Sequence, residues 1–193
     1  MATPADTTPA GQRILDAAGG LFYRDGINAV GVALVADTAG VTKKTLYDRF
    51  GSKDELVVRY LRRRHEDWWA YLEEGLAAAA SPRTLALVDA YIWHPRLDVE
   101  RGCAFINAAA ELPPGHAGRA VIREHKRSVR ARLADLIAED APGADADDLA
   151  EHVFLLLEGA IAHCGIDGGE ARMRTVRDLT ARLLHPSADG AAE

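Results

Sequence analysis

The stretch that decides the fold is VALVADTAGVTKKTLYDRFGSK, Val32 to Lys53. Before Gly40, residues Val32, Val35, Ala36 and Ala39 recur at the three-and-four spacing of one helix face. After it, Val41, Thr45 and Leu46 start a second face, so the pattern predicts two short helices meeting at a tight corner. Thr42 stands where its hydroxyl can cap the second helix. Ser52, with Glu55 three residues later, gives a capping-box pattern for a further helix. Between Val41 and Lys53 lie three lysines, an arginine, two threonines and a tyrosine around a few apolar anchors. Alone, such a stretch reads as a solvated face. Behind a corner and a capped first turn it reads as a surface for a polyanion.

Working outward, Ile14, Leu15, Ala18, Leu21 and Phe22 give a first helix from Gln12 that stops at RDGIN with Gly26. A fourth helix is expected from Lys53, with Leu56, Tyr60, Leu61, Trp68 and Leu72 as buried positions. Later helices are read in SPRTLALVDAYIWHP, GCAFINAAAEL, HAGRAVIREHKRSVRARLADLIAED, DADDLAEHVFLLLEGAIAHCGI and GEARMRTVRDLTARLLHP. Pro and Gly punctuate them, and no alternating strand pattern occurs. The expectation is an all-α chain of about nine helices. Its organisation reads as a disordered arm over 1–11, a DNA-binding domain over 12–58, a larger helical domain over 59–185 and a disordered tail over 186–193.

The chain has 193 residues and a formal charge of −6, but the charge is divided unevenly. Residues 1–65 carry a net +3 and the remainder a net −9. A polyanion is therefore drawn to the N-terminal end, because Lys and Arg neutralising phosphates supply most non-specific DNA affinity. No uninterrupted apolar run approaches the roughly 20 residues that span a bilayer, and MATPADTTPAGQR lacks the apolar core of a signal peptide. A cytoplasmic protein with no membrane partner is expected. Cys103 and Cys164 are the only cysteines, too few for a disulfide framework.

A short helix, a glycine-containing turn and a second helix rich in donors is the layout of a helix-turn-helix. On this reading Thr42, Lys43, Lys44, Thr45 and Tyr47 face DNA, and Val35, Val41, Leu46 and Phe50 hold the unit together. Lys53, at the start of the fourth helix, reaches a phosphate with help from that helix N-terminus.

The stretch RILDAAGGLFYRDGINAVGVALVADTAGVTKKTLYDRFGSKDEL resembles, along nearly its whole length, the AcrR-like N-terminal domain of the TetR family of bacterial regulators. The resemblance implies a homodimer with two three-helix DNA-binding heads and a larger domain that binds a small molecule. It also implies, in most members, a repressor released from its operator by that ligand. Farther along, RGCAFINAAAEL resembles the sixth helix of one group of members, and LLLEGAIAHCGIDGGEARM the penultimate helix and its turn. The family's last two helices form a four-helix bundle across the dimer. Val153, Leu157, Ile161, Cys164, Val176, Leu179 and Leu183 would supply it here, with Leu156, Ala160, Met173 and Leu184. Two departures from the family pattern are Val35, where isoleucine is common, and Lys44, where a small residue is frequent.

An effector pocket needs apolar walls and a few polar groups. Trp93, Cys103, Phe105, Asn107, His125, Phe154 and Glu158 are its candidates, set against the plainer reading that the aromatics are core and the acids exposed or paired. The effector is expected to be an unknown small molecule, hydrophobic or aromatic in character. The histidines and cysteines show no compact zinc spacing, and adjacent His163 and Cys164 point apart on a helix, so neither a metal nor another cofactor is expected. Two alternatives stand beside the ligand-controlled regulator. One is a DNA-binding protein answering to a protein partner or to redox change at Cys103; the other is an enzyme using a cysteine nucleophile, which nothing in the sequence marks as activated.

Overall fold

A computed structural model describes residues 8–92, 101–168 and 170–185. Among them are nine helices and no strand. The order is α1 (Pro9–Asp25), α2 (Val32–Thr38), α3 (Lys43–Phe50), α4 (Lys53–Ala78), α5 (Arg83–Ile92), α6 (Ala104–Glu111), α7 (Gly118–Asp140), α8 (Ala146–Asp167) and α9 (Glu170–Leu184).

Helix α1 starts three residues before the expected Gln12. Thr8 caps it, its hydroxyl accepting from Gly11 N at 3.1 Å, and Pro9 occupies the first turn, where no backbone N–H is missed. Residues 9–11 therefore belong to the helix with Thr8 as its cap, and the rest of the expected N-terminal arm lies outside the described residues, as does the expected 186–193 tail. Gly26 ends α1 at φ 91, a conformation that costs a side-chain-bearing residue energy.

The chain divides into two compact units, residues 1–66 with 104–124, and residues 67–103 with 125–193. Helix α6 and the start of α7 return to the N-terminal unit. Ile14, Val35, Leu46, Leu56 and Leu61 form the core of the first unit, all fully buried. Phe22 meets Tyr60 edge-on, with ring centroids 5.7 Å apart.

In the second unit the core is Leu72, Leu87, Leu133, Leu136, Ile137 and Leu157. Trp68 donates from its indole nitrogen to the Ala90 carbonyl at 3.3 Å. Asp140, at the end of α7, serves as an N-cap for α5 from a distance in sequence. Its carboxylate accepts from Thr84 N at 2.6 Å, the Thr84 hydroxyl at 2.7 Å and the Ser81 hydroxyl at 2.9 Å. Burial opposes ionisation of Asp140, but these bonds and one from the Arg83 backbone together hold its pKa below the ordinary aspartate value. The backbone at Gly102, φ 70, runs so close to α8 that a Cβ would stand 2.6 Å from the Ile161 carbonyl oxygen. That approach sets the place of the next residue, Cys103.

Candidate nucleic-acid interface

The corner between α2 and α3 is built by backbone bonds. Ala39 N donates to Val35 O at 2.9 Å, Gly40 N to Asp37 O at 3.1 Å and Val41 N to Ala36 O at 3.0 Å. Gly40 has φ 62, the left-handed conformation that turns the chain out of α2. From α1, Arg13 Nε donates to the Ala39 carbonyl at 3.2 Å and satisfies an acceptor at the helix end.

Helix α3 then opens on Thr42, whose hydroxyl accepts from Thr45 N at 3.0 Å and lies 2.9 Å from the Thr45 hydroxyl. Leu46 and Phe50 are buried beneath it and Val41 is half-buried. Thr42, Lys43 and Lys44 are exposed, Tyr47 is 45% exposed despite its aromatic ring, and Thr45 is half-buried. Lys44, the departure from the family pattern, pairs along its own helix with Asp48 at 2.6 Å. Its charge is partly spent there, which leaves Lys43 the less encumbered cation of the first turn. Arg49, exposed in the last turn, is the arginine of the basic stretch and adds a cation beyond the named set. Lys53 is the half-buried first residue of α4. Ser52 caps α4 by accepting from Glu55 N at 3.0 Å, but its own N–H donates to Phe50 O at 2.8 Å, so the cap is one-sided rather than a full box.

The effector candidates fall into different places. Trp93 lies outside the described residues. Phe105, buried, and Asn107, half-buried, belong to the first unit. Cys103, His125, Phe154 and Glu158 belong to the second. His125 is buried against Trp68, with ring centroids 5.3 Å apart, and Trp68 also meets Tyr91 at 5.8 Å. Phe154 is half-buried.

Cys103 and Glu158 come together through two residues the sequence reading did not single out. Lys126 Nζ donates to Glu158 Oε1 at 2.6 Å, to the Tyr91 hydroxyl oxygen at 2.8 Å and to Cys103 Sγ at 3.3 Å. Tyr91 in turn donates to Glu158 Oε1, and the ammonium lies 5.4 Å from the centre of the Tyr91 ring. Burial first, and then the charges at Cys103 and Glu158, push the Tyr91 pKa well above 10.0. A groove of about 390 Å³ between α7 and α8 is lined by Arg127, Arg130, Asp147 and Glu151. Its charged walls differ from the apolar pocket expected. Among the described residues no group of three or more His, Cys, Asp or Glu side chains is arranged to hold a metal ion.

The dimer candidates fall on different sides of α8 and α9. Val153, Leu157, Ile161 and Val176 are buried in the core of this same chain, as are Ala160, Met173 and Leu184. A side chain used up inside one protomer offers no surface to another. Cys164 and Leu179 are half-buried and Leu183 is exposed. The apolar surface lies on the other side of α8, at Leu155, 58% exposed, and Ile166, 75% exposed, with Gly159 and Ala162 exposed between them. In the run VFLLLEGAI every residue but Glu158 and Gly159 is apolar, so periodicity alone could not choose the inner face.

Residues 14–60 match the family model described as bacterial regulatory proteins, tetR family. Over that segment the chain is similar to the TetR family of bacterial regulators. The matched segment spans the corner, α3 and the start of α4, together with most of α1. A TetR-family transcriptional regulator from Streptomyces coelicolor superposes with a TM-score of 0.84 at 26% identity, over 94% of this chain and 97% of that one. The family's all-α architecture thus extends through both units. The HTH-type transcriptional repressor KstR2 of Rhodococcus jostii (strain RHA1) is 36% identical over 84 residues, 42% of this chain. That alignment spans 41% of the repressor's length. A transcriptional regulator from Saccharomonospora viridis, solved in complex with choline, shares the fold at a TM-score of 0.78 and 22% identity, covering 88% of this chain and 94% of its own.

Proposed function

We propose that this chain is a TetR-family homodimeric, ligand-responsive transcriptional repressor that binds a palindromic operator with one α3 in each half-site. One observation carries the reading. Helix α3 is capped at Thr42, anchored by buried Leu46 and Phe50, and presents Thr42, Lys43 and Tyr47 outward. A rigid base with donors and an aromatic on its free face suits the major groove, where an inserted helix reads base edges while neighbouring cations hold phosphates. Residues 12–58 then form the reading head and residues 59–185 the control region, with α6 lending support to the head.

A dimer follows from the energetics of one short helix, since two tethered heads bind through effective concentration. The exposed Leu155, Gly159, Ala162 and Ile166 side of α8, joined by Leu179 and Leu183 of α9, supplies its apolar face; the small residues let a partner helix approach closely. Ala146–Ile166 also reaches a mean hydropathy of 1.4, enough by length and composition to cross a membrane. The Arg130–Glu151 ion pair at 2.9 Å and the Lys126–Glu158 pair at 2.6 Å place charges on that helix that hydrocarbon would penalise, which favours the protein interface in a cytoplasmic regulator.

The effector is a small molecule with an apolar or aromatic body, received near Trp68, Tyr91 and His125, whose polar group exchanges into the Lys126–Glu158 pair. The choline bound by the Saccharomonospora protein is a precedent for an effector in this fold. Binding would shift the spacing of the two heads through α4 and lower operator affinity by the ligand's differential affinity for that state. A second reading, control by oxidation at Cys103, draws support from the 3.3 Å contact of its sulfur with Lys126. Operator binding that is unaffected by thiol oxidants dismisses it.

Selection from random duplex DNA at a stated salt concentration tests the function. Enrichment of an inverted repeat is expected, and its loss in Tyr47→Ala with thermal stability and dimer mass unchanged places Tyr47 on DNA. Enrichment of nothing at any salt overturns sequence-specific regulation.

A further inference from the structure

The α1–α2 loop is fixed from a part of the chain outside the helix-turn-helix. Glu111, the last residue of α6, lies 83 positions from Asn28 in sequence and in the same compact unit. Its Oε2 accepts from the Asn28 backbone N–H at 2.7 Å, and its backbone carbonyl accepts from Asn28 Nδ2 at 3.1 Å. Gly26 makes room for this: a Cβ there would stand 3.2 and 3.3 Å from the two carboxylate oxygens.

The end of α6 is itself held. Arg119 donates to the Ala109 carbonyl at 2.9 Å, to Leu112 at 3.0 Å and to Pro113 at 3.2 Å. A carboxylate at a helix C-terminus faces the negative end of the helix dipole and is well placed there only when a donor meets it. The Asn28 N–H is that donor.

The loop so held, residues 26–31, delivers the chain into α2. Helix α2 has seven residues and begins at Gly31 with no side-chain cap, so little within it fixes where it starts. Arg13 ties its far end through the Ala39 carbonyl, and the Gly40 corner then leads into α3. The 26–31 loop is thus one support of the approach to α3, beside the buried Val35, Ala36 and Leu46.

We propose that Glu111 is a positioning residue for DNA recognition, fixing the α1–α2 loop and through it the pose of the reading helix. The proposal rests on the reading of α3 as the DNA-contacting helix. Charge alone gives the opposite sign: removing an acid from a polyanion-binding unit strengthens binding. Positioning weakens it.

The test uses the full-length protein and the inverted repeat recovered by selection. Glu111→Ala loses the acceptor and is expected to weaken binding by about tenfold, the scale of one charge-assisted hydrogen bond. Glu111→Gln keeps an acceptor oxygen for the Asn28 N–H and is expected to bind as wild type or more tightly. Amide hydrogen exchange without DNA should accelerate over residues 26–31 in Glu111→Ala and not in Glu111→Gln. Alanine binding as well as wild type, equal weakening in both variants, or unchanged exchange in alanine overturns the role of Glu111. Wild type that selects no DNA sequence sinks the DNA reading itself, and the positioning role with it.

Discussion

Replacing Lys126 by methionine removes the hub of the polar network in the second unit. The Lys126 and Glu158 side chains are only 16% and 21% exposed, so the variant strands a carboxylate that water reaches poorly. Breaking a fully buried pair costs about 3–5 kcal/mol, and partial exposure brings the expectation here to about 2–3 kcal/mol. Methionine keeps most of the aliphatic volume, so little of that loss is a cavity. With an unfolding entropy of about 2.1 cal/mol/K per residue, a 193-residue chain should lose about 5–7 °C in melting temperature. The double variant Lys126→Met with Glu158→Leu, made in a Tyr91→Phe background so that no buried hydroxyl loses its partners, removes the stranded charge and should recover to within about 1 kcal/mol of the Tyr91→Phe parent. The assay is thermal and urea unfolding at one fixed protein concentration, so that any self-association bears equally on every variant. A single variant that melts within about 2 °C of wild type, or, in the Tyr91→Phe background, a double variant no better than the single, refutes the reasoning.

Other outcomes follow from the same structure. Tyr91 has a raised pKa, so the stability tied to its neutral form is complete below the ordinary tyrosine value of 10.0 and is lost as pH rises toward the folded value. The urea midpoint of wild type should therefore fall more steeply above pH 10.0 than that of Tyr91→Phe. Asp140 has a lowered pKa, so its contribution is present above 3.8 and lost as pH falls through the folded value. Asp140→Ala should cost about 1–2 kcal/mol at neutral pH, as loss of a helix cap does, with the difference shrinking in acid titrations of stability. Gly40→Ala puts a side chain at φ 62 in open space, so backbone strain alone should cost about 1–2 kcal/mol, seen in the melting temperature, with operator affinity falling alongside.

The head was legible in the sequence because what specifies it is local. The Gly40 corner, the Thr42 cap and the Leu46 and Phe50 anchors each act within a few residues, and helix period and capping chemistry operate over that range. The nine-helix pattern was legible for the same reason, punctuated by Gly and Pro. Where α1 begins turned on one cap, Thr8, which a compositional reading of an arm overlooks. The inner face of α8 was not legible, because Val153 and Leu155 are equally apolar and only packing buries one and exposes the other.

The long-range polar contacts belong to the tertiary structure alone. Lys126 and Glu158 are 32 residues apart, Tyr91 and Glu158 are 67 apart, and Asn28 and Glu111 are 83 apart. In sequence each is one charged or polar residue among many, and solvation is its default fate. Only packing brings a donor to a particular acceptor and excludes the water that would otherwise satisfy both. The sequence alone determined the helices and the chemistry of the exposed α3 face; the tertiary structure decided which loop Glu111 holds and which partners Lys126 takes.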